Sequence, residues 1–234
     1  MTLVKREGPG IYNGPYFNTD KVSLYMDPQP QRKKYTDIMV DLETLDTNPR
    51  AVVLSIGAVA FNLDEQESVK DYLYGLDCTH RSFAQRVSLD GQLPNRTISG
   101  STFQWWMQQS DEARKALCGP APSLFSVLCD FATWVGEVSE GRTELQLWGN
   151  GAAFDNAILR DAYDQMELAH PISFRGDMCY RTIKTRLMPG KVDVENQDLL
   201  VAHNARHDAI LQAVILQKIW ASLKVPGNCP IPAP

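Results

Sequence analysis

The sequence has no long apolar run, no closely spaced cysteine pair and no excess of basic charge. The longest apolar stretch, Ala51 to Phe61, is interrupted by Ser55 and Gly57 and is too short to span a bilayer. The basic residues Lys5 and Arg6 have no apolar segment behind them, so no secretory signal is expected. The five cysteines, Cys78, Cys118, Cys129, Cys179 and Cys229, are odd in number and contain no CxxC spacing. That spacing excludes a zinc site or a disulfide framework as the organising device, and it fits a reducing cytoplasm. With 23 Lys+Arg against 28 Asp+Glu the net charge is −5. A protein that coats long nucleic acid through a broadly basic surface is thereby excluded. An enzyme acting on nucleic acid is not, because bound metal ions neutralise carboxylates locally.

What is present is a globular composition, with 44% apolar and 22% charged residues among 234, enough for one sizeable core. No repeat is visible. The first 34 residues, ending in Gln31-Arg32-Lys33-Lys34, show no sustained period, and 1–36 reads as an N-terminal arm. A single domain is expected over 37–223, followed by a Pro-rich tail over 224–234 that neither helix nor central strand accommodates. Within the domain, Asp37 to Glu43 alternates as a strand with Ile38, Val40 and Leu42 on one side. Ala51 to Phe61 reads as a second strand and Ser68 to Tyr74 as a third. Helices are expected over Thr102 to Leu117 and Ser123 to Val138. A short strand at Leu145 to Trp148, a helix from Asp155 to Tyr163 and a last helix from Ala205 to Leu223 complete the series. Strands first, then helices, then a strand–helix unit imply an α/β fold: a mixed β-sheet flanked by helices.

Three segments carry acidic residues in suggestive places. In Asp41-Leu42-Glu43 the carboxylates at i and i+2 share one face of the strand, their backbone origins roughly 6.6 Å apart. Such a pair repels itself unless a cation lies between, and a hard divalent ion such as Mg²⁺ suits oxygen ligands. A solvated strand end supplies the same pair without any ion. Trp148-Gly149-Asn150-Gly151 leads through glycines into a helix whose first turn carries Asp155, where the helix dipole alone also favours an acid. In the third segment Asp208 lies early in the last helix and His203 precedes it by five positions. That offset is about 140° on a regular helix, which places His203 on the loop entering the helix. His207 is nearer in sequence, and spacing alone does not choose between the two.

The order D-x-E, D, H-x4-D resembles the DEDD superfamily of 3′→5′ exonucleases, in the subgroup whose last motif carries histidine (the DnaQ-like, ribonuclease H-like fold). Val40-Asp41-Leu42-Glu43-Thr44, Leu54 to Val59, Thr102 to Trp106, Trp148 to Asn156 and Tyr180-Arg181-Thr182-Ile183 resemble the phage and prophage branch of that family, the exonuclease A and exonuclease VIII group. The resemblance spans about 36–223. It implies a ribonuclease H-like mixed sheet and two divalent cations, Mg²⁺ with Mn²⁺ as substitute, held by Asp41, Glu43, Asp155 and Asp208. His203 maps onto the general base that takes a proton from the attacking water. The implied reaction is hydrolysis from 3′ ends of DNA, single strands favoured, with release of nucleoside 5′-monophosphates. A phage origin would put the activity in the host cytoplasm.

The stretch Arg175 to Lys191 holds Arg175, Arg181, Lys184, Arg186 and Lys191 against one acid, Asp177. It suits a phosphate backbone and equally a solvated helix face. Arg181, inside a family-like segment, is the expected phosphate contact, and Thr44, Leu45 and Phe154 flank the ligands where a terminal nucleotide would pack. Trp105 and Trp106 either stack on bases or fill the core, with core expected for Trp106. Other readings are an exoribonuclease of the same fold, a non-catalytic nucleic-acid or host-interaction protein, and a dinucleotide site at Gly149-Asn150-Gly151. Against the last, Phe154 stands where a small residue belongs. Oligomeric state is left open by the sequence.

Overall fold

A computed structural model of the chain describes residues 33–142 and 144–224. The expected arm therefore lies outside the described residues up to residue 32, and the expected tail from residue 225. Five strands form one mixed sheet: β1 (Asp37–Thr44), β2 (Val53–Phe61), β3 (Ser82–Arg86), β4 (Gln146–Gly149) and β5 (Asp177–Cys179). Their order is β3-β2-β1-β4-β5. β2 runs antiparallel to both β1 and β3, whereas β4 is parallel to β1 and to β5. The mixed sheet with flanking helices is the α/β architecture that the order of elements implied, and the resemblance implied its ribonuclease H-like form. No helix among the described residues is long and apolar enough to cross a membrane.

β1 is central because both of its faces are covered. Ile38, Val40 and Leu42 pack with residues of α4 (Leu124–Ser139) and α5 (Asp155–Gln165), including Leu128, Phe131 and Ile158. Met39 points the other way, toward Ile210 and Val214 of α7 (Ala205–Leu223), with Tyr180 at the start of α6 (Tyr180–Leu187) in the same cluster. Each such side chain contributes about 1.5–3 kcal/mol on burial. Alternation then sends Asp41 and Glu43 to the α7 face of the sheet.

Two expected elements differ, and two short strands were not expected. Ser68 to Tyr74 is not a strand but the helix α1 (Val69–Tyr74). Ser68 and Asp71 form a reciprocal cap: the Ser68 backbone N–H donates to Asp71 at 2.8 Å and the Asp71 N–H donates to the Ser68 hydroxyl at 3.3 Å. A capping box of this kind starts a helix whatever the β-propensity behind it. The third strand is instead Ser82–Arg86, too short for its alternation to stand out. The long helix expected over Thr102 to Leu117 is two, α2 (Gly100–Met107) and α3 (Asp111–Ala116). Ser110 opens the second by accepting from the Ala113 N–H at 3.2 Å. The three-residue β5 gave no periodic signal at all.

Before β1, Lys33 to Thr36 lie against the domain. Lys33 reaches Glu67 at 3.2 Å. Tyr35 is fully buried, its ring 5.2 Å from the guanidinium of Arg81. At the opposite end, the start of α7 lies directly on β2 at Gly57. A Cβ there would stand 2.1 Å from both the Ala205 carbonyl carbon and the Arg206 nitrogen. Gly57→Ala is accordingly expected to lose about 1–3 kcal/mol through overpacking, read as a lower denaturation midpoint in urea. A midpoint equal to the wild type would contradict this close approach.

Candidate active site

The four carboxylates come from three places in the chain and meet at the carboxyl ends of β1 and β4. Asp41 and Glu43 project from β1, and Gln212 donates its side-chain N–H to Asp41 at 2.8 Å. Asp155, in the first turn of α5, accepts from the Leu42 backbone N–H at 3.1 Å, which ties α5 to β1 across 113 residues. The approach is close enough to require glycine at 149, where a Cβ would lie 2.9 Å from the Cβ of Asp155 and 2.3 Å from the Asn156 side-chain oxygen. Asp208 sits in the first turn of α7 and accepts from the His203 backbone N–H at 2.9 Å.

His203 lies on the loop before α7 with φ +60°, a left-handed conformation that non-glycine residues adopt at a cost of order 1–3 kcal/mol. Its bond to Asp208 helps hold that backbone. Asn204 caps α7 by accepting from the His207 N–H at 3.2 Å. His207 itself is occupied in the same loop, its Nδ1 accepting from the Val201 N–H at 3.0 Å. Of the two histidines, His203 is the one that faces the large cavity.

Burial and mutual repulsion govern the electrostatics. Glu43 is 6% and Asp155 1% exposed, and Glu43 Oε1 and Asp155 Oδ2 have no hydrogen-bond partner. Burial, followed by repulsion from Asp208 and Asp155, pushes Glu43 up to about 8. Burial pushes Asp155 up to about 7, against backbone N–H groups and Arg181 that pull it down. Asp41 is raised well above the usual carboxylate range by burial and then by Asp155, Glu43 and Asp208. Asp208 is raised by burial, with the His203 N–H opposing. Unpaired buried carboxyl oxygens are costly to leave without a cation or a proton.

A cavity of about 800 Å³ opens over this cluster. Its lining includes Asp41, Glu43, Asp208 and His203, with Thr44, Phe154 and Arg181 among the expected substrate contacts. Asp155 lies behind, joined through the Leu42 bond. Leu45 departs from the expected position beside a nucleotide. It is buried with Val52, Trp106 and Ala113 in a small separate core, because the β1–β2 register shifts between Glu43 and Thr44 and the strict alternation ends there. Trp106 is core as expected, and its indole N–H donates to the Thr44 carbonyl at 2.8 Å. Trp105 lines the cavity, 41% exposed, with its ring 4.8 Å from that of His203 in an edge-on arrangement. Arg181 donates to the Asn150 carbonyl at 2.6 Å, and Lys184, one turn on, lines the same wall. Sequence reasoning passed over Gln212. Its place four residues after Asp208, on the same face of α7, was the available signal.

Comparison with known proteins turns this geometry into a family. The family described as the 3'-5' exoribonuclease Rv2179c-like domain matches residues 36–220. The chain belongs to the Rv2179c-like 3′-5′ exoribonuclease domain family. It is thus a 3′-5′ exonuclease of the DEDD class, as the order of its motifs implied. The Rv2179c-like match covers the whole sheet and every carboxylate described above. The chain is also 24% identical over 163 residues to the exodeoxyribonuclease of Enterobacteria phage T4, covering 64% of this chain and 70% of that protein. Among solved structures it resembles cell-death related nuclease 4 with a TM-score of 0.54 at 16% identity. That likeness covers 80% of this chain but only 64% of the nuclease, and it shows the shared fold.

The residues present fit a hard divalent cation. Glu43, His203 and Asp208 each offer a ligand atom, all within 4.8 Å of one another, and the orphaned oxygens of Glu43 and Asp155 lack any other partner. Linkage gives this a sign. Between the unfolded values of 4.5 and 3.8 and the folded values of about 8 and about 7, the native state holds more protons than the unfolded chain. Metal-free stability therefore falls as pH rises through that window. His170, pushed down to about 4 by burial and Arg160, acts in the opposite direction, but only below its ordinary pKa of about 6.5. In EDTA the melting temperature should thus fall between pH 6.5 and 8.5, and Mn²⁺ at pH 8.5 should restore it. A melting temperature that rises with pH in EDTA, or ignores Mn²⁺, would refute the reading of the cluster.

Proposed function

We propose that the chain removes nucleoside 5′-monophosphates from 3′ ends of DNA, single strands preferred, with Mg²⁺ or Mn²⁺ held by Asp41, Glu43, Asp155 and Asp208. The observation that carries this is the convergence of Asp41, Glu43 and Asp208 beside His203 at one cavity, with Asp155 buried directly behind and no salt bridge to any of the four among the described residues. Two bound cations would neutralise the carboxylates and stabilise the attacking and leaving oxygens of an in-line phosphodiester displacement.

The chain's own residues do the rest. His203 takes the proton from the attacking water on a ring nitrogen, while its backbone bond to Asp208 and the edge of Trp105 hold it over the cavity. Gln212 fixes one oxygen of Asp41 and leaves the other free to turn toward the cavity. Arg181 meets the phosphate, and Phe154 and Thr44 pack against the terminal nucleotide. The cavity lies between α2 on one wall and α6 on the other, which supports entry of a single strand end. The thiols of Cys78, Cys118, Cys129 and Cys179 are free, which supports action in a reducing cytoplasm. The T4 relative's description as an exodeoxyribonuclease supports DNA. The family description as an exoribonuclease supports a second reading, RNA at the same site; the choice turns on whether the pocket takes a 2′-hydroxyl.

The test is incubation with Mg²⁺ or Mn²⁺ and end-labelled single- and double-stranded DNA and RNA. A 3′ label should leave at once as mononucleotide, while a 5′ label should move down a ladder. Asp41→Asn and Asp155→Asn should each reduce the rate by at least about 10³-fold, in line with loss of an electrostatic transition-state contact. His203→Ala should lose about 10²–10⁴-fold and keep the metal-induced rise in melting temperature; loss of that rise would make His203 a ligand instead of the base. Normal activity in Asp41→Asn, or no mononucleotide release from any substrate, would sink the proposal and leave a non-catalytic binder.

A further inference from the structure

A second, smaller cavity of about 190 Å³ adjoins the candidate active site, and His203 lines both. It continues the same face of the sheet. Ser55 lies opposite Glu43 in the β1–β2 ladder, and Arg86 lies opposite Ser55 in the β2–β3 ladder. Directly opposed residues in antiparallel strands share a face, so a row runs from the carboxylates through Ser55 to Arg86. Asn204 to Arg206, at the start of α7, form the other side, with Ala116 and Leu117 near the end of α3 at the rim.

Two arginines, Arg86 and Arg206, line this cavity. Among the described residues neither is paired with a carboxylate, although the protein carries 28 acids. Arg86 donates one N–H to the Pro120 carbonyl at 3.2 Å. Arg206 stands in the first turn of a 19-residue helix, the end at which the macrodipole disfavours a cation. Neither helix stability nor an ion pair accounts for that placement; an anion in the cavity does.

The arrangement also limits which anion. The scissile phosphate belongs where Glu43, His203 and Asp208 converge, and the large cavity takes the terminal nucleotide on the side of Phe154 and Arg181. The remaining strand has to leave on the other side of His203, which is where the two arginines are. The geometry points to Arg86 and Arg206 as a subsite for the phosphodiester one nucleotide upstream of the scissile bond. This rests on the 3′-exonuclease reading of the neighbouring site.

The test measures binding of fluorescent oligonucleotides by anisotropy in an Asp41→Asn background with Mg²⁺, so that cleavage does not intervene. Ligands are a 5′-hydroxyl dinucleotide, whose one phosphate is the scissile one, a 5′-phosphorylated dinucleotide and a trinucleotide. Combined Arg86→Gln and Arg206→Gln should weaken the two longer-charged ligands roughly tenfold, the scale of a lost charge-assisted contact, and the 5′-hydroxyl dinucleotide less than twofold. The dependence of log affinity on log salt should flatten by about 0.7 per lost phosphate contact. Arg206→Lys should retain most of the affinity, and Arg206→Gln should not lower the melting temperature, which separates the role from a structural one. Equal loss on all ligands, or no loss on any, overturns the subsite. So does a change confined to inhibition by free nucleoside 5′-monophosphate, which would make the cavity a product site. Failure of the parent protein to cleave any substrate would sink the exonuclease reading alone, since the binding comparison is read separately.

Discussion

Like charge confined at the end of a sheet is the constraint on which the structure turns. Asp41, Glu43, Asp155 and Asp208 are driven together by packing that has nothing to do with their charge; burial raises every one of them, and repulsion adds to it at Asp41 and Glu43. A fold selected for stability alone would place apolar residues or a counter-ion there. The cluster is instead left with orphaned oxygens, a cost that a bound cation would offset. Under the proposed function, catalytic use and metal-free instability are two consequences of one arrangement.

The remainder of the domain is organised to keep those groups in register. β1 is anchored on both faces, by α4 and α5 below and α7 above, so the direction of its acidic pair is fixed by the pleat. Two glycines let helices approach the strands: Gly57 admits the start of α7, and Gly149 admits the start of α5. Capping completes the positions, since Asn204 starts α7 and thereby sets the loop that carries His203. Trp105 and Trp106 divide their labour, one tied to the Thr44 carbonyl in a small core and the other against the histidine ring. Arg181 and Lys184 stand on one wall of the large cavity, and Arg86 and Arg206 line the smaller one beyond His203.

Much of this was legible in the residues. The alternation of Asp37 to Glu43, the apolar face of α4 and the whole extent of α7 follow from periodicity, because each element buries a continuous stripe. The order of the acidic motifs, with their flanking words, marked the DEDD class. The misreadings have local causes. Ser68 and Asp71 form a cap that outweighs β-propensity, and Ser110 restarts a helix that looks continuous by spacing. β5 is three residues long and owes its existence to pairing with β4. Leu45 looked like a site residue because it adjoins one, but the register shift after Glu43 breaks the alternation and leaves it in the core.

The sequence by itself determined which residues are the candidates for the chemistry, since residue type, spacing and element period are local properties of the chain. Only the tertiary structure decided which of them meet. The bond from Leu42 to Asp155 spans 113 residues and that from Gln212 to Asp41 spans 171, separations over which no periodicity carries information. Whether His203 or His207 faces the cavity, and whether arginines distant in sequence share one pocket, depends on how helices settle on the sheet. That is set by packing against the opposite faces of β1 and β2, a contact no single segment contains.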